Sequence, residues 1–94
     1  MPKKRIGVVG CGSWGPNQIR TFFFNPHTEV VRICDKDPER LKSLQVLYPS
    51  IQTTQNSEEI TRGKDIDAVV ITTPVSTHFQ LAKDALSYGK DVLC

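Results

Sequence analysis

Ninety-four residues make one domain at most, and a core of that size leaves little margin for an exposed apolar edge. Apolar residues at 38% and charged residues at 23% describe an ordinary folded chain and exclude a disordered one; no apolar run approaches the roughly 18 residues that span a bilayer, so no membrane partner is expected. A formal charge of +2 is too slight to argue for nucleic acid.

The chain opens on "MPKKRIGVVG", where "KKR" reads as the solvated entrance to a strand. The apolar segment behind it runs straight into glycines without a small-residue cleavage site, so no signal peptide is read. Cys11, Cys34 and Cys94 are odd in number and lack metal-like spacing, which together with that start suggests a reducing cytoplasm. "RIGVVG", residues 5–10, is a buried strand bounded by glycine. Helical spacing follows at Ile19, Phe22 and Phe23, and "NP" at 25 and 26 stops it. Pro16 suits a first helical turn, where its missing N–H has no intrahelical partner to lose.

"EVVRICD", residues 29–35, predicts a second strand. The next helix starts with Asp37 as cap and Pro38 at the first position, and Leu41, Leu44 and Leu47 line one face before Pro49. "SIQTT" is a short edge strand, and "SEEITRG" a short helix with Ser57 as cap and Gly63 as stop. "DAVVITT", residues 67–73, is apolar on both faces, as a central parallel strand requires. After Pro74, "STHFQLAKDALSYG" predicts a helix capped by Ser76 or Thr77. Its inner face is Phe79, Ala82 and Leu86, and Gly89 ends it. "DVLC" begins a fifth strand. The order β-α-β-α-β-α-β-α-β with short connections predicts an α/β fold, a doubly wound parallel sheet cut off within its fifth strand.

Gly10, Gly12 and Gly15 fit G-x-G-x-x-G between a strand and a helix, and Asp35 lies 20 positions past Gly15 at the end of the second strand. That joint pattern is the dinucleotide-binding fingerprint. Gly10 permits the tight turn, Gly12 has no side chain to hold a pyrophosphate away from the backbone, and Gly15 lets helix and sheet approach. The N–H groups of residues 13–15 then face phosphate along the positive end of the helix. Asp35 is the acceptor for the adenosine ribose, whereas Asp37 is better explained as a cap. A carboxylate at 35 repels a 2′-phosphate and so favours NAD over NADP, with Lys36 near enough to temper the preference. Trp14 has two readings, a lid on the helix start or a flat wall over the cofactor. Cys11 reads as a small filler.

"TTPVSTH", residues 72–78, leaves the third strong strand at its carboxyl end, beside the glycine turn. Pro74 forces Thr73 extended, which exposes backbone groups to a ligand. His78 in the following first turn is either a solvated histidine or a ligand contact. Here "GVVGCGSWGPNQIR", "CDKDPERL", "DAVVITTPVSTHFQLAKDAL" and "GKDVLC" resemble, in that order, the N-terminal half of the Gfo/Idh/MocA (glucose–fructose oxidoreductase / inositol dehydrogenase) family. The resemblance covers nearly the whole chain, and the "SWGPN" form is most similar to members acting on nucleotide-linked sugars, such as UDP-N-acetylhexosamine 3-dehydrogenases.

That resemblance implies a Rossmann domain binding NAD. Gly10, Gly12, Ser13 and Trp14 would contact the pyrophosphate, Asp35 the ribose and Arg40 the adenine; Thr73, Pro74 and His78 would face the nicotinamide ribose. Family members continue from the strand that "DVLC" begins into a Glu-Lys-Pro motif, whose lysine lies at the reacting carbon, and then into a substrate domain. The expectation is therefore a dinucleotide-binding domain over residues 1–94, cut before its catalytic lysine, with no catalytic residue of its own and Lys83 and Lys90 no substitutes. Its function would be the cofactor part of an NAD-dependent oxidoreductase acting on a sugar or polyol hydroxyl. A free-standing nucleotide-binding module that senses or scaffolds is the alternative, while a methyltransferase would share the glycine turn and leave "TTPVSTH" unexplained. Partners expected are NAD(H), a sugar substrate in a longer form, and a second copy at the apolar edge of the last strand, giving a homo-oligomer.

Overall fold

The computed structural model describes residues 2–10 and 15–93. Strands β1 (Lys4–Val9), β2 (Thr28–Cys34), β3 (Gln52–Thr54), β4 (Ala68–Ile71) and β5 (Asp91–Leu93) alternate with helices α1 (Gly15–Phe23), α2 (Pro38–Leu47), α3 (Glu58–Thr61) and α4 (Val75–Ser87). The sheet runs β3-β2-β1-β4-β5 and every pairing in it is parallel. β1 is central, so the strand order reverses on either side of it, and the cleft of such a sheet opens at the carboxyl ends there.

Alternating side chains divide the core between two faces. Ile6 and Val8 of β1 join Ile19 of α1 and Leu41 and Leu44 of α2. Val9 instead joins Ile60 of α3 and Ala85 of α4. Six isoleucines, at 19, 33, 51, 60, 66 and 71, are among the largest fully buried side chains. Burial of each supplies about 1.5–3 kcal/mol, most of which chain entropy offsets. Gly7 carries no side chain because none fits: a Cβ there would lie 2.7 Å from Ile60 Cγ2 and 2.8 Å from Ile66 Cδ1.

One irregularity decides the far half of β2. The pairing with β1 steps from Ile6↔Val30 to Gly7↔Arg32, leaving Val31 as an extra residue. The step shifts the alternation: Val30 and Ile33 share the α1/α2 face, while Val31 and Cys34 pack on the other. Arg32 thereby reaches partners around α3. Its guanidinium, with the side chain 14% exposed, pairs with Asp65 at 2.8 Å. It also donates to the Glu59 carbonyl at 2.9 Å and to Gln52 Oε1 at 2.8 Å. This satisfies a nearly buried charge and holds the Asp65 carboxyl below its ordinary range.

The helix signals hold in part. Asp37 caps α2, its Oδ1 accepting the Glu39 N–H at 3.0 Å, with Pro38 behind it. Gly89 ends α4 at φ +76; its N–H donates to Leu86 and that of Lys90 to Ala85, the paired bonds of a Schellman end. Ser57 makes no side-chain cap bond for α3. Asn56 does that work, its Oδ1 accepting the Glu58 N–H at 3.0 Å, because Ser57 already has helical backbone angles. Neither Ser76 nor Thr77 caps α4, which begins at Val75 directly behind Pro74.

Two predicted faces also shift. Phe79 and Leu86 of α4 are exposed, and its inward residues are Leu81, Ala82 and Ala85. In α2, Leu41 and Leu44 are buried and Leu47 is exposed. At the amino ends of the strands, Lys4 pairs with Asp91 and Arg5 with Asp67, which fits a strand entrance for "KKR".

Candidate cofactor-binding site

A cleft of about 1070 Å³ opens where the sheet order reverses, and residues from the carboxyl ends of β1, β2 and β4 line it. β1 leaves the sheet through Gly10 at φ +88, a conformation that costs any L-side chain. Space forbids a side chain as well. A Cβ on Gly10 would sit 2.8 Å from Thr73 Cγ2, 3.0 Å from Thr73 N and 3.1 Å from the Thr72 carbonyl carbon. The Gly10 N–H donates to the Cys34 carbonyl at 2.8 Å, which ties the turn to β2. Gly15 stands buried at the start of α1.

Asp35 follows β2 and lines the cleft with its side chain 10% exposed. Its backbone N–H donates to the Thr54 carbonyl at 3.2 Å. Its Oδ1 accepts the Asp37 N–H at 2.8 Å, and Oδ2 faces Arg40 Nη1 at 3.7 Å. Gln55 Nε2 donates to the Lys36 carbonyl at 2.9 Å, so the loop after β3 braces the turn that carries the carboxylate. The neighbouring Cys34 thiol is pushed up to about 11, first by burial and then by the charges of Asp35 and Glu59. It stays protonated near neutral pH and is no nucleophile.

On the other side, β4 ends in Thr72, Thr73 and Pro74, all lining the cleft. The Thr72 hydroxyl donates to the Gly10 carbonyl, bridging the two strand ends. Thr77 Oγ1 lies 2.7 Å from Thr73 Oγ1 and 2.9 Å from the Pro74 carbonyl, securing the exit to the first turn of α4. His78 in that turn lines the cleft too, and its Nε2 is buried without a hydrogen-bond partner among the described residues. A buried ring nitrogen normally has a hydrogen-bond partner, and the cleft is the side from which one can come.

Six predicted site residues therefore meet in one cleft: Gly10, Asp35, Arg40, Thr73, Pro74 and His78. Gly12, Ser13, Trp14 and Cys11 lie outside the described residues. Sequence reading missed Thr72, Gln18, Gln55 and Thr77, which also line it. Only "TTPVSTH" carried a signal for any of these, since it contains both threonines. Lys90 is held elsewhere, its ammonium donating to the carbonyls of Gly63 at 2.5 Å and Ile66 at 2.6 Å. Among the described residues no helix is long and apolar enough to cross a membrane.

A five-stranded parallel sheet in this order, with an acidic acceptor after its second strand and a positive-φ glycine after its first, defines a doubly wound dinucleotide-binding domain. Residues 4–94 match the Gfo/Idh/MocA family, described as an oxidoreductase family with an NAD-binding Rossmann fold, and the chain belongs to it. Glycosyl hydrolase family 109 protein 4 of Phocaeicola vulgatus is 34% identical over 94% of this chain, which spans 19% of that protein. Inositol 2-dehydrogenase of Burkholderia multivorans is 30% identical over 96% of the chain and 27% of its own length. The structure of scyllo-inositol dehydrogenase from Lactobacillus casei, with bound NAD(H) and scyllo-inositol, superposes with a TM-score of 0.87. It is 25% identical, with 96% of this chain and 27% of that one covered. The chain thus spans about a fifth to a quarter of the length of these relatives.

Proposed function

We propose that this chain forms the cofactor site of an oxidoreductase that moves a hydride between NAD and a hydroxyl-bearing carbon of a sugar or polyol. One observation carries the reading: a single cleft joins the Asp35 carboxylate, the bare Gly10 turn and the orphaned His78 nitrogen. These groups suit a dinucleotide. Asp35 accepts from the adenosine ribose hydroxyls, with Arg40 against the adenine. The glycine fingerprint, with Gly10, Gly12, Ser13, Trp14 and Gly15, takes the pyrophosphate ahead of α1. Thr73, Pro74 and His78 meet the nicotinamide ribose, where His78 Nε2 gains its missing partner. NAD, when bound, supplies the nicotinamide carbon that accepts or returns the hydride. The similarity to inositol dehydrogenases supports a polyol ring as substrate class.

The relatives named as glycosyl hydrolases favour a second reading, glycoside cleavage by a protein that carries the same NAD-binding domain. Steady accumulation of NADH with a free polyol speaks for the dehydrogenase; sugar release without it speaks for the hydrolase.

The cofactor assignment is tested by fluorescence titration with NADH and NADPH. NADH is expected to bind more tightly, and Asp35→Ala to weaken it by about 10- to 100-fold, the loss of hydrogen bonds to a charged acceptor. It should also narrow the gap to NADPH. Tighter NADPH binding that Asp35→Ala leaves unchanged would defeat the ribose assignment.

A further inference from the structure

We propose that Thr72 is a positioning residue, whose hydroxyl latches the glycine turn after β1 to the exit of β4 so that both halves of the cleft keep one geometry. The inference rests on the reading of this cleft as the NAD site. Gly10 is held from three directions. Its N–H donates to the Cys34 carbonyl at 2.8 Å. Thr73 occupies the space a Cβ would need, with its Cγ2 2.8 Å and its N 3.0 Å from that position. Its carbonyl accepts from Thr72 Oγ1, which also lies 3.2 Å from the Val9 carbonyl.

The first restraint is a backbone bond, the second is contact with both the backbone and the side chain of Thr73, and the third is a side-chain hydrogen bond. It falls on a glycine at positive φ, the residue type with the most conformational freedom to lose. A carbonyl fixes the plane of the peptide that carries it. Holding the Gly10 carbonyl therefore fixes the direction in which the chain leaves β1. The Thr72 N–H donates to the Val9 carbonyl at 2.9 Å, one step past the last paired residues Val9 and Ile71, so the latch sits where the ladder gives out. Beyond it, Thr77 secures Thr73 and Pro74 to the helix turn that holds His78. A shift at Gly10 would pass along this path to the nicotinamide side.

Thr72→Val keeps the branched shape and removes the hydroxyl, while Thr72→Ser keeps the hydroxyl. NADH titration of both is paired with amide hydrogen exchange of the free proteins. Thr72→Val is expected to weaken NADH about fivefold, the loss of one hydrogen bond, and Thr72→Ser to stay within about twofold of the parent. In Thr72→Val without ligand, the Gly10 amide should exchange faster while those of Val8 and Val70 keep their protection. Unchanged NADH affinity overturns the proposal, as does a serine variant no better than valine. Weaker binding with unchanged Gly10 exchange also overturns it, since the hydroxyl then touches the ligand directly. If the parent chain fails to bind NADH, the cofactor reading fails, and the exchange comparison alone decides the latch.

Discussion

Two glycines at positive φ, Gly10 and Gly89, allow the steric and conformational costs of a methyl group to be separated. Gly89 has nothing within 4 Å of its absent Cβ, so Gly89→Ala carries only the backbone penalty. For an L-residue in the left-handed region that is about 1–2 kcal/mol. Gly10→Ala bears a similar penalty and adds overlap, because its Cβ would meet Thr73 N at 3.0 Å and the Thr72 carbonyl carbon at 3.1 Å. Backbone atoms cannot rotate away, and the misfit of an extra methyl in packed surroundings costs about 1–3 kcal/mol more. Gly10→Ala is thus expected to cost about 2–5 kcal/mol, against a total near 5–14 kcal/mol for a chain of this length. Each kcal/mol lowers the melting temperature by about 4–8 °C in a domain of this size. Urea unfolding of the two variants beside the parent, at equal slope, measures both terms. Equal destabilisation of the two would refute the steric argument, and a loss below about 1 kcal/mol at Gly10 would refute both.

Acid should weaken the fold in a defined window. Arg5 holds the Asp67 carboxyl at about 2, below its ordinary 3.8, through side-chain and backbone hydrogen bonds. Asp65 and Asp84 are lowered likewise by Arg32 and Arg62. A depressed folded-state value means that the unfolded chain takes up the proton first as pH falls. The stability is therefore complete above about pH 4 and is lost towards pH 2. The urea midpoint should fall across that window, and Asp67→Asn should flatten part of the fall; an identical limb in that variant contradicts the assignment. Because Asp67 is 38% exposed, solvent screens the pair and the effect is modest. At β5, half-exposed Leu93 lies on the edge strand, an invitation to pair with a second copy. Light scattering over a concentration series should show self-association that Leu93→Lys reverses; a monomer throughout would remove the edge from consideration.

The element order was legible because each local signal agreed with its neighbours. Apolar runs rich in valine and isoleucine alternate with helical spacing, and Asp37-Pro38 and Gly89 mark helix ends by chemistry that needs no tertiary contact. What stayed hidden depends on such contacts. Nothing in "EVVRICD" shows that Val31 is the extra residue, since Val30 and Val31 are equally apolar and the step lies in the pairing with β1. In α4, two apolar stripes both have helical spacing. The sheet selects the one containing Ala82 and Ala85, where small side chains let the helix approach, and leaves Phe79 and Leu86 outside. The cap of α3 moved by one residue because Asn56 and Ser57 are both competent acceptors and the backbone chose between them.

The candidate site divides along the same line. Gly10 and Asp35 were legible because their demands are intrinsic: a turn at positive φ and an acceptor at a strand end. Thr72 was not, because its hydroxyl has meaning only against a carbonyl 62 positions earlier in the chain. The topology closes that distance. β1 and β4 run parallel and side by side, and their ladder from Ile6↔Ala68 to Val9↔Ile71 brings both strand ends to one level. At that level the missing side chain of Gly10 admits the backbone of Thr72 and Thr73. The glycine of the fingerprint therefore has two tasks at once. It turns the chain out of β1 at positive φ, and it lets the second half of the cleft stand against the first. His78 stands in the first turn of α4 behind that same exit, so a substitution at Gly10 that crowds Thr73 is expected to disturb its place in the cleft as well.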